Sequence, residues 1–225
     1  MFSKDDYDIT PTVYSPDGRI FQVEYAREAI KRGALGIGVR SPEWVVLASL
    51  RPEEGRLIEK EYVKKQYFIT RRIVAITSGL IADGRILVDI LRERAQEEWL
   101  TYGEEATISS LVKWLCRICE LYTRFEGIRP FGAALLIGGF DATGPHLYDV
   151  DPSGVGREVK AWAIGRGSEE VLPELEKIDM QKLKEDIRKI FKMVYEKGVV
   201  DVIVLSKEGV ISQEEIRFSG GRKEG

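Results

Sequence analysis

The sequence predicts an α+β chain in which two antiparallel sheets pack face to face and a pair of helices covers each outer face. Three observations carry the prediction. Short apolar runs are split by tight turns, which makes hairpins and therefore antiparallel sheets. Helical stripes come in consecutive pairs instead of alternating with single strands, which argues against a doubly wound fold. At 225 residues, with 44% hydrophobic and 32% charged side chains, the chain can bury one sizeable core and falls short of two ordinary domains. The pattern admits this architecture without making it unique.

Along the chain, Ser15-Pro16-Asp17-Gly18 is a turn signal that opens a helix over residues 19–32. Ile20, Val23, Ala26 and Ile30 share one of its faces, and Gly33 can end it. Residues 34–40 and 44–49, split by Ser41-Pro42-Glu43, read as a hairpin, and residues 66–70 and 73–78 around Arg71-Arg72 read as a second. A helix over 82–98 carries Ile86, Ile90, Leu91 and Ala95. Another over 108–125 carries Leu111, Leu115, Ile118, Tyr122 and Phe125, with Thr107 as its N-cap. Strands follow over 133–140, 146–150 and 159–164, the first two joined at Asp141-Ala-Thr-Gly144. A helix begins after Gly167, and a further one carries Leu183, Ile187, Ile190 and Val194. Strands over 199–205 and 209–211 close the chain, with Ser212-Gln-Glu-Glu-Ile216 expected as a final capped helical turn. The expected division is a tail over 1–14, one domain over 15–218, and a flexible end over 219–225.

Several function classes fall away. The formal net charge is −3 with the signs interspersed, so no basic field awaits a phosphate backbone and nucleic acid is not an expected partner. The polar, acidic start is unlike a signal or transit peptide, and the longest apolar runs are strand-sized, so no membrane is expected and the expected location is the cytoplasm. Cys116 and Cys119 lie inside a helical stripe. Two more zinc ligands are not at hand, because there is no further Cys pair and His146 is the only histidine; two small apolar side chains in a core is the favoured reading. No cofactor or metal is expected. His146 reads as an exposed turn residue, and Asp149 and Asp151 as solvated turn carboxylates. The run Gly33-Ala-Leu-Gly36-Ile-Gly38 lacks the strand-then-helix context of a dinucleotide loop, and Gly138-Gly139, Gly154 and Gly156 are read as close backbone approaches and turns.

The segment Tyr14-Ser-Pro-Asp-Gly-Arg-Ile-Phe-Gln-Val-Glu-Tyr-Ala26 is very similar to the N-terminal signature of proteasome α subunits. The likeness continues through Arg56-Leu-Ile-Glu59, Thr77-Ser-Gly-Leu80, Ala82-Asp83, Gly127-Ile-Arg-Pro-Phe-Gly132, the stretch from Gly144 to Gly154, and Ala163-Ile-Gly-Arg-Gly167. It covers roughly residues 7–175 and is nearest the archaeal type. The resemblance implies the N-terminal-nucleophile fold, a four-layer α-β-β-α sandwich with an extra N-terminal helix. It implies a seven-membered α ring that caps catalytic β rings, regulatory ATPases as partners, and unfolded polypeptides as substrates of the particle. The family's protease subunits expose a threonine at the first strand, whereas this strand begins Gly33-Ala34-Leu35, behind a helix in place of a cleavable propeptide. Lys65 falls where protease subunits carry a catalytic lysine, but without a nucleophile it cannot hydrolyse peptides, so no catalytic residue is expected. A self-processed threonine hydrolase and a solitary ring or assembly factor of the same fold are the alternatives.

The resemblance also assigns sites. Lys65 would pair with the terminal carboxylate of an ATPase tail ending in hydrophobic-tyrosine-any residue, Gly79 and Leu80 would line that pocket, and Gly18 and Glu24 would lie near the tail's tyrosine. Tyr7, Asp8, Pro16 and Tyr25 match the family's open-gate cluster. Ile9 replaces the usual arginine of the tail, Pro11 stiffens it, and Leu50-Arg51-Pro52 stands where Asp-Lys-Lys is usual, a departure that either alters a ring contact or marks a divergent paralogue working in a mixed ring.

Overall fold

The computed structural model describes residues 13–51, 57 and 64–219. Among these residues ten strands form two five-stranded antiparallel sheets. One has the order β10-β9-β2-β1-β8, built from β1 (Gly36–Arg40), β2 (Val45–Arg51), β8 (Ala161–Ile164), β9 (Lys197–Ser206) and β10 (Gly209–Ser219). The other has the order β3-β4-β5-β6-β7, from β3 (Gln66–Phe68), β4 (Ile73–Gly79), β5 (Ala133–Asp141), β6 (Gly144–Val150) and β7 (Gly156–Glu158).

Strand periodicity fixes the layers. Even-numbered residues of β2, such as Val46 and Ala48, pack with Val171, Leu175, Ile187, Ile190 and Phe191 of the helices α4 (Ser168–Leu175) and α5 (Leu183–Val194). The alternate residues Val45 and Leu47 face the other way, onto Val74, Ile76, Leu136 and Leu147 of the second sheet. That sheet's outer residues, among them Ile73, Ala75, Leu135 and Ile137, are covered by α2 (Ile81–Tyr102) and α3 (Ile108–Leu121). Gly38 and Gly138 lie in the inter-sheet layer, where a Cβ would come within 2.9 Å of Leu147 and Val45 respectively. The result is the expected four-layer sandwich, with α1 (Phe21–Arg32) as the additional N-terminal helix.

Local chemistry sets the element ends. Val23, Ala26 and Ile30 form the buried stripe of α1, and Lys31 and Arg32 in its last turn complement the helix dipole. Gly33 stops it in extended backbone; a Cβ there would lie 2.3 Å from Gly79 N and 2.4 Å from Ser78 Oγ. Thr107 caps α3 by accepting the Ser110 N–H at 3.2 Å.

Four expectations are corrected. Residues 212–216 are strand, not helix: after a bulge between Val210 and Ser212, β10 pairs with β9 from Ser212 to Ser219, and only Ile216 and Phe218 of its second half are buried. The strand expected over 159–164 is confined to β8, Ala161–Ile164, and a short strand that was not expected, β7 at Gly156–Glu158, precedes it on the other sheet, making ten strands among the described residues where nine were expected. Ile86 is 50% exposed on the outer side of α2, where Leu87 and Val88 supply the inward stripe. Phe125 lies beyond the end of α3 and is exposed.

Leu50 and Arg51, the described part of the 50–52 departure, turn inward. Leu50 is buried in the core under α4 and α5. Arg51 is almost fully covered and grips Asp201 of β9 and Glu215 of β10, donating from Nε to Asp201 at 3.1 Å and from Nη2 to Glu215 at 2.7 Å. These two residues make contacts within the chain itself; Pro52 lies outside the described residues.

Candidate functional site

The sequence-predicted site residues fall in two groups, one at each end of α1. At its start, Ser15 to Gly18 form a turn closed by the Gly18 N–H on the Ser15 carbonyl at 2.8 Å, and Gly18 takes a positive φ of 78°. Arg19 then reaches forward and clamps Glu24 bidentately, with Nε to Oε1 at 2.6 Å and a second contact from Nη2 to Oε2. The hydrogen bond from Arg19 is the main reason that Glu24 is held below the usual carboxylate range. Glu24, in the first turn of α1, also sits where the dipole favours an anion. Pro16 is exposed and Tyr25 half-exposed beside Phe21, with ring centroids 6.5 Å apart. Gly18, Arg19, Glu24, Arg27 and Arg124 line a groove of about 690 Å³. Tyr7, Asp8, Ile9 and Pro11 lie outside the described residues, as do most of the 1–14 tail and residues 220–225.

The second group gathers where β4 passes into α2. Lys65 is 6% exposed and its carbonyl accepts the Thr77 N–H at 3.3 Å. Gly79 has φ 106°, and a Cβ on it would lie 2.1 Å from the Gly132 carbonyl oxygen, so only glycine fits. Leu80 leads into α2, donates its N–H to the same carbonyl at 2.8 Å and stays 46% exposed. Ala29 of α1 approaches this spot, since a Cβ on Gly132 would meet both Leu80 at 2.8 Å and Ala29 at 3.6 Å. Glu24 and Ala29 are five residues apart on one helix, roughly 7.5 Å of rise. The helix thus links the two groups, which do not form one closed pocket within a single chain.

A residue that sequence reasoning gave no role braces the second group. Asp83 is buried in the first turn of α2, where it takes Arg129 Nη1 at 2.6 Å, Arg129 Nη2 at 2.9 Å and the Gly132 N–H at 2.7 Å. The Arg129 hydrogen bond leads the causes that hold its carboxyl below the ordinary range, with burial opposing. The one signal for it in the sequence is that Asp83 and Gly127 to Gly132, the segments it joins, both belong to the family likeness.

The two turn carboxylates are neither solvated nor idle. Asp149 is buried on β6 and paired with Arg157; burial nonetheless raises its pKa above the usual range. Asp151 takes Arg27 Nε at 2.9 Å and Nη2 at 3.2 Å and the Ser153 N–H at 2.8 Å, tying α1 to the turn before β7. Burial pushes the Asp151 carboxyl up, but the Arg27 and Ser153 hydrogen bonds prevail and hold it low. A depressed carboxylate contributes stability above its unfolded pKa and loses it as pH falls through the folded one. Arg27→Ala is therefore expected to lower stability at neutral pH by about 1 kcal/mol or less, given the half-exposed arginine. In denaturant titrations the deficit should shrink in acid, below the ordinary aspartate range.

His146 is not an exposed turn residue either; its ring sits on β6, 18% exposed, among Asp141, Thr143 and Glu158. Cys116 and Cys119 line the helix-facing core, where burial pushes their thiols up to about 11 and about 12. Among the described residues no group of three His, Cys, Asp or Glu side chains could hold a metal ion, and no helix is long and apolar enough to cross a membrane.

At the start of β1, where the family's protease subunits carry their nucleophile, Ala34 and Leu35 offer no hydroxyl. The backbone there is engaged within the fold. The Gly33 carbonyl accepts Arg166 N–H at 3.0 Å, the Ala34 carbonyl accepts Ser78 Oγ at 2.8 Å, and the Leu35 N–H donates to the Tyr195 hydroxyl at 3.1 Å.

Two family models match the chain. One, described as "Proteasome subunit", covers residues 30–200, and the other, the N-terminal signature of A-type proteasome subunits, covers residues 7–29. The chain is 43% identical over 212 residues to the proteasome alpha subunit of Methanopyrus kandleri, spanning 90% of this chain and 86% of that one. It is 43% identical over 180 residues to that of Picrophilus torridus, spanning 80% and 77%, and 48% identical over 171 residues to that of Archaeoglobus fulgidus, spanning 76% and 69%.

Proposed function

The chain belongs to the proteasome α-subunit family, and from that premise we propose that it is a non-catalytic subunit of the core particle. In this reading it forms a seven-membered outer ring on the catalytic β rings, gates the entry of unfolded polypeptides and receives the C-terminal tails of a regulatory ATPase, in the cytoplasm. The observation that carries the non-catalytic role is the start of β1. Nucleophilic hydrolysis needs a hydroxyl and a free amine released at that strand, and here Gly33-Ala34-Leu35 supplies no hydroxyl while the Gly33 and Ala34 carbonyls and the Leu35 N–H are bonded within the fold.

The tail-docking role draws support from the second group of site residues. Gly79, where only glycine fits, and the half-exposed Leu80 stand at the junction of β4 and α2, where the neighbouring Asp83 binds Arg129, and the Lys65 carbonyl is bonded to Thr77, two residues before Gly79. The first group, across α1, fits a pocket completed by a neighbouring subunit. Lys65 is covered in the single chain, so a tail carboxylate reaches it only by displacing what covers it.

Co-expression with the cognate β subunit tests the reading. Native mass spectrometry should find a mixed particle of α and β rings, and the chain purified alone should keep its full mass and cut no peptide. A ring that never takes up β subunits favours the solitary assembly. A lone chain trimmed to the first strand and active on peptides overturns the proposal.

A further inference from the structure

We propose that His146, with Asp141, Thr143 and Glu158, is a proton-operated clamp that tightens the β5–β6 hairpin onto α3 as the pH falls below neutral. The imidazole faces acceptors on both sides. Nδ1 lies 2.9 Å from Glu158 Oε1, while Nε2 lies 2.7 Å from Thr143 Oγ1 and 3.6 Å from Asp141 Oδ1. The Thr143 hydroxyl lies 2.6 Å from that same Asp141 oxygen.

Proton counting shows what the ring's charge changes. Neutral imidazole has one N–H and one lone pair. If Nδ1 carries the hydrogen, the Nε2 lone pair competes with Asp141 for the single Thr143 hydroxyl proton. If Nε2 carries it, the Nδ1 lone pair is set against the Glu158 carboxylate. The imidazolium resolves both conflicts, because Nδ1–H donates to Glu158 and Nε2–H donates to Thr143, whose own proton then goes to Asp141. Each of the three short contacts in that chain pairs a donor with an acceptor only when the ring is charged; a neutral ring always leaves one of them without a proton.

The effect reaches α3 directly. The second oxygen of Asp141 accepts the N–H of Ile108, the first residue of that helix, at 2.7 Å, and the Asp141 side chain is 2% exposed. The other polar groups around the ring are on the same circuit: Glu158 also takes Arg40 Nη2 at 3.2 Å and the Tyr148 hydroxyl at 3.4 Å, and Arg40 holds the Pro145 carbonyl at 3.3 Å. Both carboxyls stay below their ordinary range. For Asp141, burial opposes this, but hydrogen bonds from Thr143 and Ile108 prevail; for Glu158 the hydrogen bond with His146 is the largest cause. Stability from depressed carboxylates is present above their unfolded pKa values and lost as pH drops through the folded ones. They are therefore still charged in mild acid, where histidines ordinarily gain a proton.

A hydroxyl, an imidazole and a carboxylate in line also resemble a nucleophile relay. Here, though, the Thr143 hydroxyl already has Asp141 as an acceptor, and its own N–H donates to Asp141 at 2.8 Å instead of standing ready for an oxyanion.

The test is thermal unfolding of the intact protein from about pH 8 to about pH 5.5, for the parent and His146→Gln. The melting-temperature gap between them should widen by about 2–4 °C on acidification. A gap that is constant or narrows overturns the clamp. Glu158→Gln, which keeps the shape and loses the charge, should show part of the same widening and gives the answer if His146→Gln does not fold; a constant gap for it as well overturns the proposal.

Discussion

Peptide hydrolysis by barrels assembled from this chain and catalytic β subunits is expected to rise several-fold when a tail peptide ending in hydrophobic-tyrosine-any residue is added, and Lys65→Ala is expected to abolish the rise. A charge-assisted hydrogen bond to a carboxylate contributes about 1.5–3 kcal/mol when partly desolvated, roughly a 10- to 100-fold change in tail affinity. Lys65 is 6% exposed, so once a tail has displaced what covers it little water would compete for the ammonium. The measurement is the fluorogenic-peptide rate against tail concentration, with native mass spectrometry to establish that the variant still assembles. A variant that responds like its parent removes Lys65 from the pocket.

Restoring a hydroxyl at the helix–strand junction is expected to break the fold without creating a protease. Gly33→Thr would place a Cβ 2.3 Å from the Gly79 nitrogen and 2.4 Å from Ser78 Oγ. The nitrogen belongs to a backbone that is itself pinned, because Gly79 abuts the Gly132 carbonyl and Leu80 is bonded to it. Overpacking against immobile backbone should cost on the order of 3 kcal/mol or more, a melting-temperature loss of at least roughly 6–12 °C for a chain of this size. Gly33→Ala should lose nearly as much, which separates the steric cause from any effect of the hydroxyl. A threonine variant with parental stability and new peptidase activity contradicts the account.

Much of the fold was legible because its signals are local. The stripes Leu111-Leu115-Ile118 and Leu183-Ile187-Ile190 repeat at helical spacing, Thr107 sits where an N-cap belongs, and the hairpins announce themselves at Arg71-Arg72 and Asp141 to Gly144. The failures are tertiary. Ser212-Gln-Glu-Glu reads as a capped turn, but an edge strand needs few inward apolar residues, and pairing with β9 outweighs the local propensity. The short strand β7, Gly156–Glu158, is missed because its three residues are all exposed and begin with a glycine that reads as a turn. The site divides in the same way. Gly18, Glu24, Gly79 and Leu80 are singled out by contiguous motifs, whereas the bonds Asp83–Arg129 and Arg27–Asp151 span 46 and 124 positions and become visible only when the chain is folded.

The two cysteines have a bearing on oxidative stress. Peroxide and disulfide reagents attack thiolate, and with thiols pushed up to about 11 and about 12, fewer than about one in a thousand of these groups is ionised at neutral pH. Both lie against the α3 side of the core, Cys119 wholly enclosed. Direct oxidation of these two thiols is therefore expected to be slow at neutral pH.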